Sequence, residues 1–71
     1  MKKNYSRLLG RMKEKGFTQA MIADRIGVSA VTINNSLNNK RDFNQREISE
    51  ICDILNIPIC NIDSYFFTFE S

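Results

Sequence analysis

The 71-residue chain contains little that could make or break a covalent bond. It has no histidine, and its two cysteines, Cys52 and Cys60, stand eight positions apart among isoleucines and a leucine. Without an imidazole, His-based acid–base catalysis, Cys–His nucleophiles and Cys2His2 zinc binding are excluded. A disulfide stays open in principle, but the apolar surroundings predict two buried free thiols. There is no glycine-rich phosphate loop, and Asp24, Glu47 and Asp53 fit helix-surface or capping positions better than a cleft. No enzymatic activity, cofactor, metal or small-molecule substrate is expected. What remains is hydrogen-bonding chemistry. The run "SAVTINNSL", 29–37, offers the hydroxyls of Ser29 and Thr32 and the amides of Asn34 and Asn35, with no Arg, Lys or Gln. Asn38, Asn39, Lys40 and Arg41 follow it.

The elements that must position these groups read as helices throughout. Asn4 caps a first helix from about Tyr5 to Lys15 with Leu8, Leu9 and Met12 on one face, and Gly16 ends it in a left-handed conformation. Gly10, inside that helix, costs about 1 kcal/mol relative to Ala, and a close helix crossing would account for it. Thr18 caps a second helix, Gln19 to Ile26, with Ala20, Ile22, Ala23 and Ile26 inward; the small Ala23 permits close helix approach. Gly27 supplies a turn, Val28 plugs the core, and Ser29 caps a third helix from Ala30 to about Asn38. That helix has Val31 or Ile33, and Leu37, available for burial. "NNKRDF" is a polar loop anchored by Phe43. Asn44 with Glu47 three residues on forms a capping box for a fourth helix, Gln45 to Leu55, which buries Ile48, Ile51, Cys52 and Leu55 and closes at Asn56. Pro58 breaks the chain, and "ICNIDSYFF" has room for a fifth short helix. The fold class is therefore all-α: one compact domain over 1–71, a bundle of four to five short helices.

Length allows a single small domain whose core is marginal unless a partner adds to it. No apolar run reaches the roughly 18 residues that a membrane span requires, and charges interrupt the start "MKKNYSRLLGRMKEKG", so it is not a signal peptide. A cytoplasmic protein is expected, with no membrane partner. Charge is unevenly divided. Residues 1–41 hold nine Lys/Arg against Glu14 and Asp24, or +7, whereas residues 42–71 hold Arg46 against six carboxylates, or −5. Such a chain directs one side toward a polyanion and the other toward something else.

Residues Gln19 to Asn38 resemble the helix-turn-helix of the Cro/CI-type phage repressor family. The likeness rests on "TQ…IA…IGVS…TI": Gln19 opening the second helix, then Ile22, Ala23, Ile26, Gly27, Val28 and Ile33 in register. The basic first helix before it, and the N-capped fourth helix with "LNIP" after it, extend the likeness over nearly the whole chain. It is most similar to small Cro-like proteins of phages and prophages of Gram-positive bacteria. The resemblance implies a lambda-repressor-like fold in a bacterial host cell, with the helix-turn-helix at about 18–38. One departure stands out: Ser36 occupies a usually apolar position, with the hydrophobe next door at Leu37, which predicts a slightly rotated third helix. The turn reads "NNK" where the family often has Asn-Gly-Lys, and Asn39 tolerates the left-handed conformation.

The resemblance further implies a Cro-like transcriptional repressor of a phage switch, partnered by double-stranded operator DNA. In its register Ser29, Ala30, Val31, Asn34 and Asn35 face base edges. Gln19 sits where a helix N-terminus clamps a phosphate. Thr32, Asn38, Asn39, Lys40 and Arg41 flank the groove as backbone contacts. Asparagine pairs bidentately with adenine, and Ala30 and Val31 pack on thymine methyls, so an A·T-leaning site is expected. With about four to six phosphates neutralised, log K falls with log salt at a slope of about −4 to −5. Lys2 and Lys3 are expected to be a mobile, solvated end.

The tail, about 64–71, concentrates Tyr65, Phe66, Phe67 and Phe69. Some of these should cover Tyr5, Leu8 and Leu9, and the rest should leave an aromatic interface. A homodimer through this tail, with Phe67 and Phe69 on an extended segment crossing the dimer axis, would set two third helices about 34 Å apart on a palindromic operator. The alternative role is an antirepressor, in which the uncharged third helix and the aromatic, acidic half bind a phage repressor protein. Salt separates the two, since phosphate binding weakens steeply with it and an apolar interface does not.

Overall fold

The computed structural model describes residues 2–70. Five α-helices and a 3-10 turn follow in order: α1 Ser6–Lys15, α2 Gln19–Ile26, α3 Ala30–Leu37, α4 Gln45–Leu55, the 3-10 turn Ile59–Asn61 and α5 Ile62–Phe66. The expected all-α bundle therefore forms, and none of its described helices is long and apolar enough to cross a membrane.

Helices α1 to α4 all close in the same way. Gly16 and Gly27, both at φ +77°, Asn39 at +62° and Asn56 at +53° take the left-handed position. The next N–H then reaches back to a carbonyl of the last turn: Phe17 to Met12 (2.8 Å), Val28 to Ala23 (3.0 Å), Lys40 to Asn35 (2.8 Å) and Ile57 to Cys52 (2.9 Å). This closure satisfies carbonyls left without helical partners, and it usually tucks the following apolar residue against the helix. Phe17 and Val28 pack on the core and Ile57 is buried in it. At α3 the equivalent residue is Lys40, which stays exposed.

The N-termini are equally well built. Thr18 Oγ1 accepts from Met21 N–H at 3.1 Å, Ser29 Oγ from Thr32 N–H at 3.1 Å, and Asn44 with Glu47 completes the capping box. α1 begins one residue later than expected. Asn4 Oδ1 accepts from Ser6 N–H at 2.9 Å, while Tyr5 drops into the core instead of entering the helix.

Ile22, Ala23 and Ile26 of α2, Ile33 of α3 and Ile51, Cys52 and Leu55 of α4 meet Tyr5, Leu8 and Met12 there. Phe43 anchors the long loop as expected, stacked edge-to-face between Tyr5 (5.6 Å) and Phe66 (5.5 Å). Several expected inward residues are not inward. Leu9 falls at the edge of the α1 arc and is exposed. Ala20 lies about 160° round α2 from Ile22 at 3.6 residues per turn, and faces solvent. Ile48 is half-buried, and Ile33 rather than Val31 is the inner residue of α3. A Cβ built on Gly10 meets nothing within 4 Å, so no close helix crossing explains that glycine.

Of the two cysteines only Cys52 is buried; Cys60 is exposed. The 3-10 turn after Pro58 carries Ile59 and Cys60 outward, whereas α4 directs Cys52 into the core. Burial pushes the Cys52 thiol pKa up, and the neighbouring Asp53 charge adds to the rise.

The two ends of the chain pair with each other. Lys3 and Phe69 form an antiparallel bridge, with Asn4 N–H donating to Thr68 O at 2.6 Å and Glu70 N–H to Lys2 O at 2.9 Å. The extended tail expected across a dimer axis thus exists, but its partner is its own N-terminus. The same pairing contradicts a mobile Lys3. Its Nζ sits 3.1 Å from Asp42 and 5.2 Å from the centre of the Phe67 ring, both interactions holding the ammonium in place.

Candidate nucleic-acid interface

α2 and α3 are joined by the three residues Gly27 to Ser29 and pack closely on each other. Ile22, Ala23, Ile26 and Ile33 make the seam between them and the core. Because Ile33 points inward, the residues one position behind and ahead of it, Thr32 and Asn34, fall on the flanks of α3 and Val31 faces out, while Ala30, one turn before Ile33, is exposed as the first residue of the helix. Val31 is 68% exposed. Among the expected base-reading residues, Ser29, Ala30, Val31 and Asn34 are exposed and Asn35 is half-buried. Ser29 spends its hydroxyl on capping α3 and lies 2.9 Å from the Thr32 hydroxyl.

A chain of three amides crosses from α2 to the end of α3. Asn34 Nδ2 donates to Gln19 Oε1 at 3.3 Å. Asn38 Nδ2 donates in turn to Asn34 Oδ1 at 3.1 Å and to the Asn34 carbonyl at 3.0 Å. The Asn34 amide is therefore held at both ends. A primary amide has two hydrogens and two lone pairs, so it keeps one of each for a ligand.

The residues expected on the phosphate backbone divide sharply. Lys40 is exposed and makes no ion pair among the described residues. Asn39 spends its amide on the N-terminus, Oδ1 accepting from Lys3 N–H at 2.8 Å and Nδ2 donating to Lys3 O at 2.9 Å. Arg41 turns its guanidinium onto internal partners, with about a third of its side chain left exposed (34%). Its Nη1 donates to Ser36 Oγ at 2.6 Å and its Nη2 to Glu47 Oε1 at 3.2 Å. Ser36 is fully buried and Glu47 is 2% exposed. Ser36 Oγ donates on to Thr32 O at 3.2 Å, and Glu47 Oε1 also accepts from Asn44 N–H at 2.9 Å. The unusual serine is thus not a sign of a rotated α3. Ser36 occupies the inner position beside Ile33, and Leu37 is only half-buried, because a hydroxyl is what receives Arg41 there.

Two further arginines are used internally in ways no local spacing announces. Arg11 caps the end of α4, with Nε on Leu55 O and Nη2 on Asn56 O, both at 2.9 Å. Arg46 caps α2 through Ile26 O at 2.7 Å. Cations at helix C-termini meet both the free carbonyls and the negative end of the helix dipole. Of the basic half, Lys2, Arg7, Lys13, Lys15, Arg25 and Lys40 remain exposed and outside ion pairs among the described residues. Arg7 and Arg25 lie over the rings of Tyr65 and Phe17, each at 5.4 Å.

The four aromatics of the tail do not act together. Phe66 is core, Tyr65 is half-buried under Arg7, and Phe67 and Phe69 are 43% and 49% exposed. Only the last two are available to a partner.

Residues 1–69 match the family described as "Protein of unknown function (DUF739)", and the chain belongs to that family. No curated protein matches it.

Proposed function

We propose that the protein is a sequence-specific regulator that binds double-stranded operator DNA, a Cro-like repressor of a phage or prophage switch. The observation that carries this reading is the outer face of α3. There Ala30, Val31 and Asn34 lie together on the surface, and the Asn34 amide is fixed in orientation by Gln19 and Asn38. A fixed amide with one donor and one acceptor to spare matches N7 and N6 of adenine, and the apolar pair beside it suits thymine methyls. Asn34 is the principal base reader, and Lys40 supplies charge to the backbone at the far end of the helix. Gln19 serves Asn34 as well as the phosphate at the α2 N-terminus.

The test is binding to DNA from the protein's own gene neighbourhood across a salt series, beside random DNA. Sequence-selective binding with a log–log slope of about −4 to −5 is expected. Equal affinity for random DNA at low salt contradicts the reading. The 68% exposure of Val31 also suits a protein contact, which favours the alternative reading as an antirepressor. In that role α3 docks on the DNA-binding domain of a phage repressor, and the affinity changes little with salt.

A further inference from the structure

The loop between α3 and α4 carries Lys40, and the residues around it are tied down from two directions. Arg41 is held from inside, by Ser36 and Glu47. Asn39 and Asp42 are both held by Lys3. The Asn39 side-chain amide meets the Lys3 backbone twice, Oδ1 accepting from its N–H at 2.8 Å and Nδ2 donating to its carbonyl at 2.9 Å. Asp42 takes the Lys3 ammonium at 3.1 Å. Lys40, among them, is exposed. The Lys3 groups reach Asn39 because of how the chain ends pair. Asn4 N–H to Thr68 O and Glu70 N–H to Lys2 O flank the Lys3–Phe69 bridge. In an antiparallel ladder a pair flanked in this way turns its own N–H and C=O away from the other strand. The Asn39 amide stands where a third strand would, its acceptor and donor matching the donor and acceptor of Lys3. Asn39 sits at φ +62°, a conformation that glycine and asparagine take most readily, and of the two only asparagine brings an amide.

We infer that Asn39 is a positioning residue, which couples the paired chain ends to the loop that carries Lys40. The tail 68–70 orients residues 2–4, residues 2–4 hold Asn39 and Asp42, and these two fix the backbone from which Lys40 leaves. Asn39 then acts on a bound phosphate backbone through Lys40 instead of touching it. The coupling is internal to the chain; only its consequence for affinity rests on the DNA reading. That consequence is pre-organisation. A loop ordered in the free protein need not be ordered on binding, so part of the affinity is set at Glu70, at the far end of the chain.

Two full-chain variants test the coupling. Asn39→Gly keeps the left-handed position and deletes the amide. Glu70→Pro leaves the loop untouched and removes the N–H that bonds Lys2 O, and the extended Phe69 before it accepts a following proline. It also deletes a negative charge, which by itself would strengthen binding to a polyanion. In NMR relaxation without DNA, the backbone order parameters over 39–42 should be about 0.85 in the wild-type chain and fall toward about 0.6 or below in both variants. Unchanged values over α2 and α4 certify the fold. Specific DNA binding should weaken about 3- to 10-fold in both. Loop order that Glu70→Pro leaves intact overturns the coupling, whatever the chain does with DNA. Affinity lost in Asn39→Gly alone overturns the positioning role, since that is the pattern of a direct phosphate contact. Loop disorder in both variants with undiminished affinity overturns it as well. A wild-type chain without selective DNA binding contradicts the DNA reading alone, and the order parameters still decide the coupling.

Discussion

On its outer face α3 presents Asn34 to solvent between Gln19 and Asn38. On its inner face Ser36 lies fully buried between Thr32 and Arg41. Both sets are small polar groups joined by hydrogen bonds, and in the sequence they are interleaved. Their surroundings separate them. The inner set is shielded from water, so every polar atom left without a partner there costs its full desolvation. The buried Ser36 hydroxyl and Glu47 Oε1 accordingly each meet two partners, Ser36 through Thr32 and Arg41 and Glu47 through Arg41 and Asn44. The outer set stays hydrated, its bonds hold orientation more than stability, and each amide keeps capacity for a partner. Residue type alone therefore does not mark a recognition site; unspent hydrogen-bonding capacity at an exposed position does.

The largest effect should come from cutting the inner set. Removing one partner of a buried ion pair costs about 3–5 kcal/mol, and the third of Arg41 that stays exposed (34%) reduces that to about 2–3 kcal/mol, since the guanidinium can rehydrate. Glu47→Ala, which also loses the capping box, should lower the melting temperature by about 10–20 °C. A shift of a degree or two would mean that the inner network is ornamental. Next is the outer set: Asn34→Ala should weaken specific DNA binding by about 1–3 kcal/mol, roughly 5- to 150-fold, while stability changes by less than about 0.5 kcal/mol. Equal losses in both quantities would erase the distinction between the faces.

Ser36→Ala should cost about 1.5–3 kcal/mol in urea unfolding, the worth of a hydrogen bond to a charged group, with DNA affinity unchanged for the folded fraction. The neighbours Lys40 and Arg41 sharpen the comparison further. Lys40→Ala should reduce the magnitude of the salt slope by about one unit, whereas Arg41→Ala should leave the slope alone and lower stability. Alkaline pH should distinguish the regions as well. Burial raises the Tyr5 pKa above its ordinary value, with the Lys3 charge opposing and the Asp42 charge adding to the rise. A phenol whose folded pKa is raised supports the fold fully below about pH 10, and that support is lost as pH climbs beyond. Tyr5→Phe should therefore flatten the alkaline limb of the stability curve, while the amides of the outer face do not titrate.

The helices were readable because their ends are local. A left-handed glycine or asparagine and a capping side chain act within five residues, and so Thr18, Ser29, Asn44, Gly16, Gly27 and Asn56 announced themselves. The exposed half of the candidate site was readable for a similar reason, since the period of α3 places Ala30, Val31 and Asn34 together once Ile33 is inward. What the sequence concealed depends on which side chains the fold buries against each other, whether across a loop or between helices. Arg41 looks like any loop cation until Glu47 is known to be buried, and Ser36 looks like a misplaced residue until Arg41 arrives. Arg46 reaches a carbonyl 20 residues away. The pairing of the two ends was equally hidden, because a single bridge leaves no alternating pattern to detect.

The most direct test is backbone and side-chain amide NMR of the protein titrated with its operator DNA. The account predicts shifts concentrated on Ala30, Val31, the Asn34 side-chain amide, the N-terminus of α2 around Gln19, and Lys40, with Ser36, Glu47 and Asn44 undisturbed. Shifts centred instead on Ile59 and Phe67, with α3 silent, would contradict it.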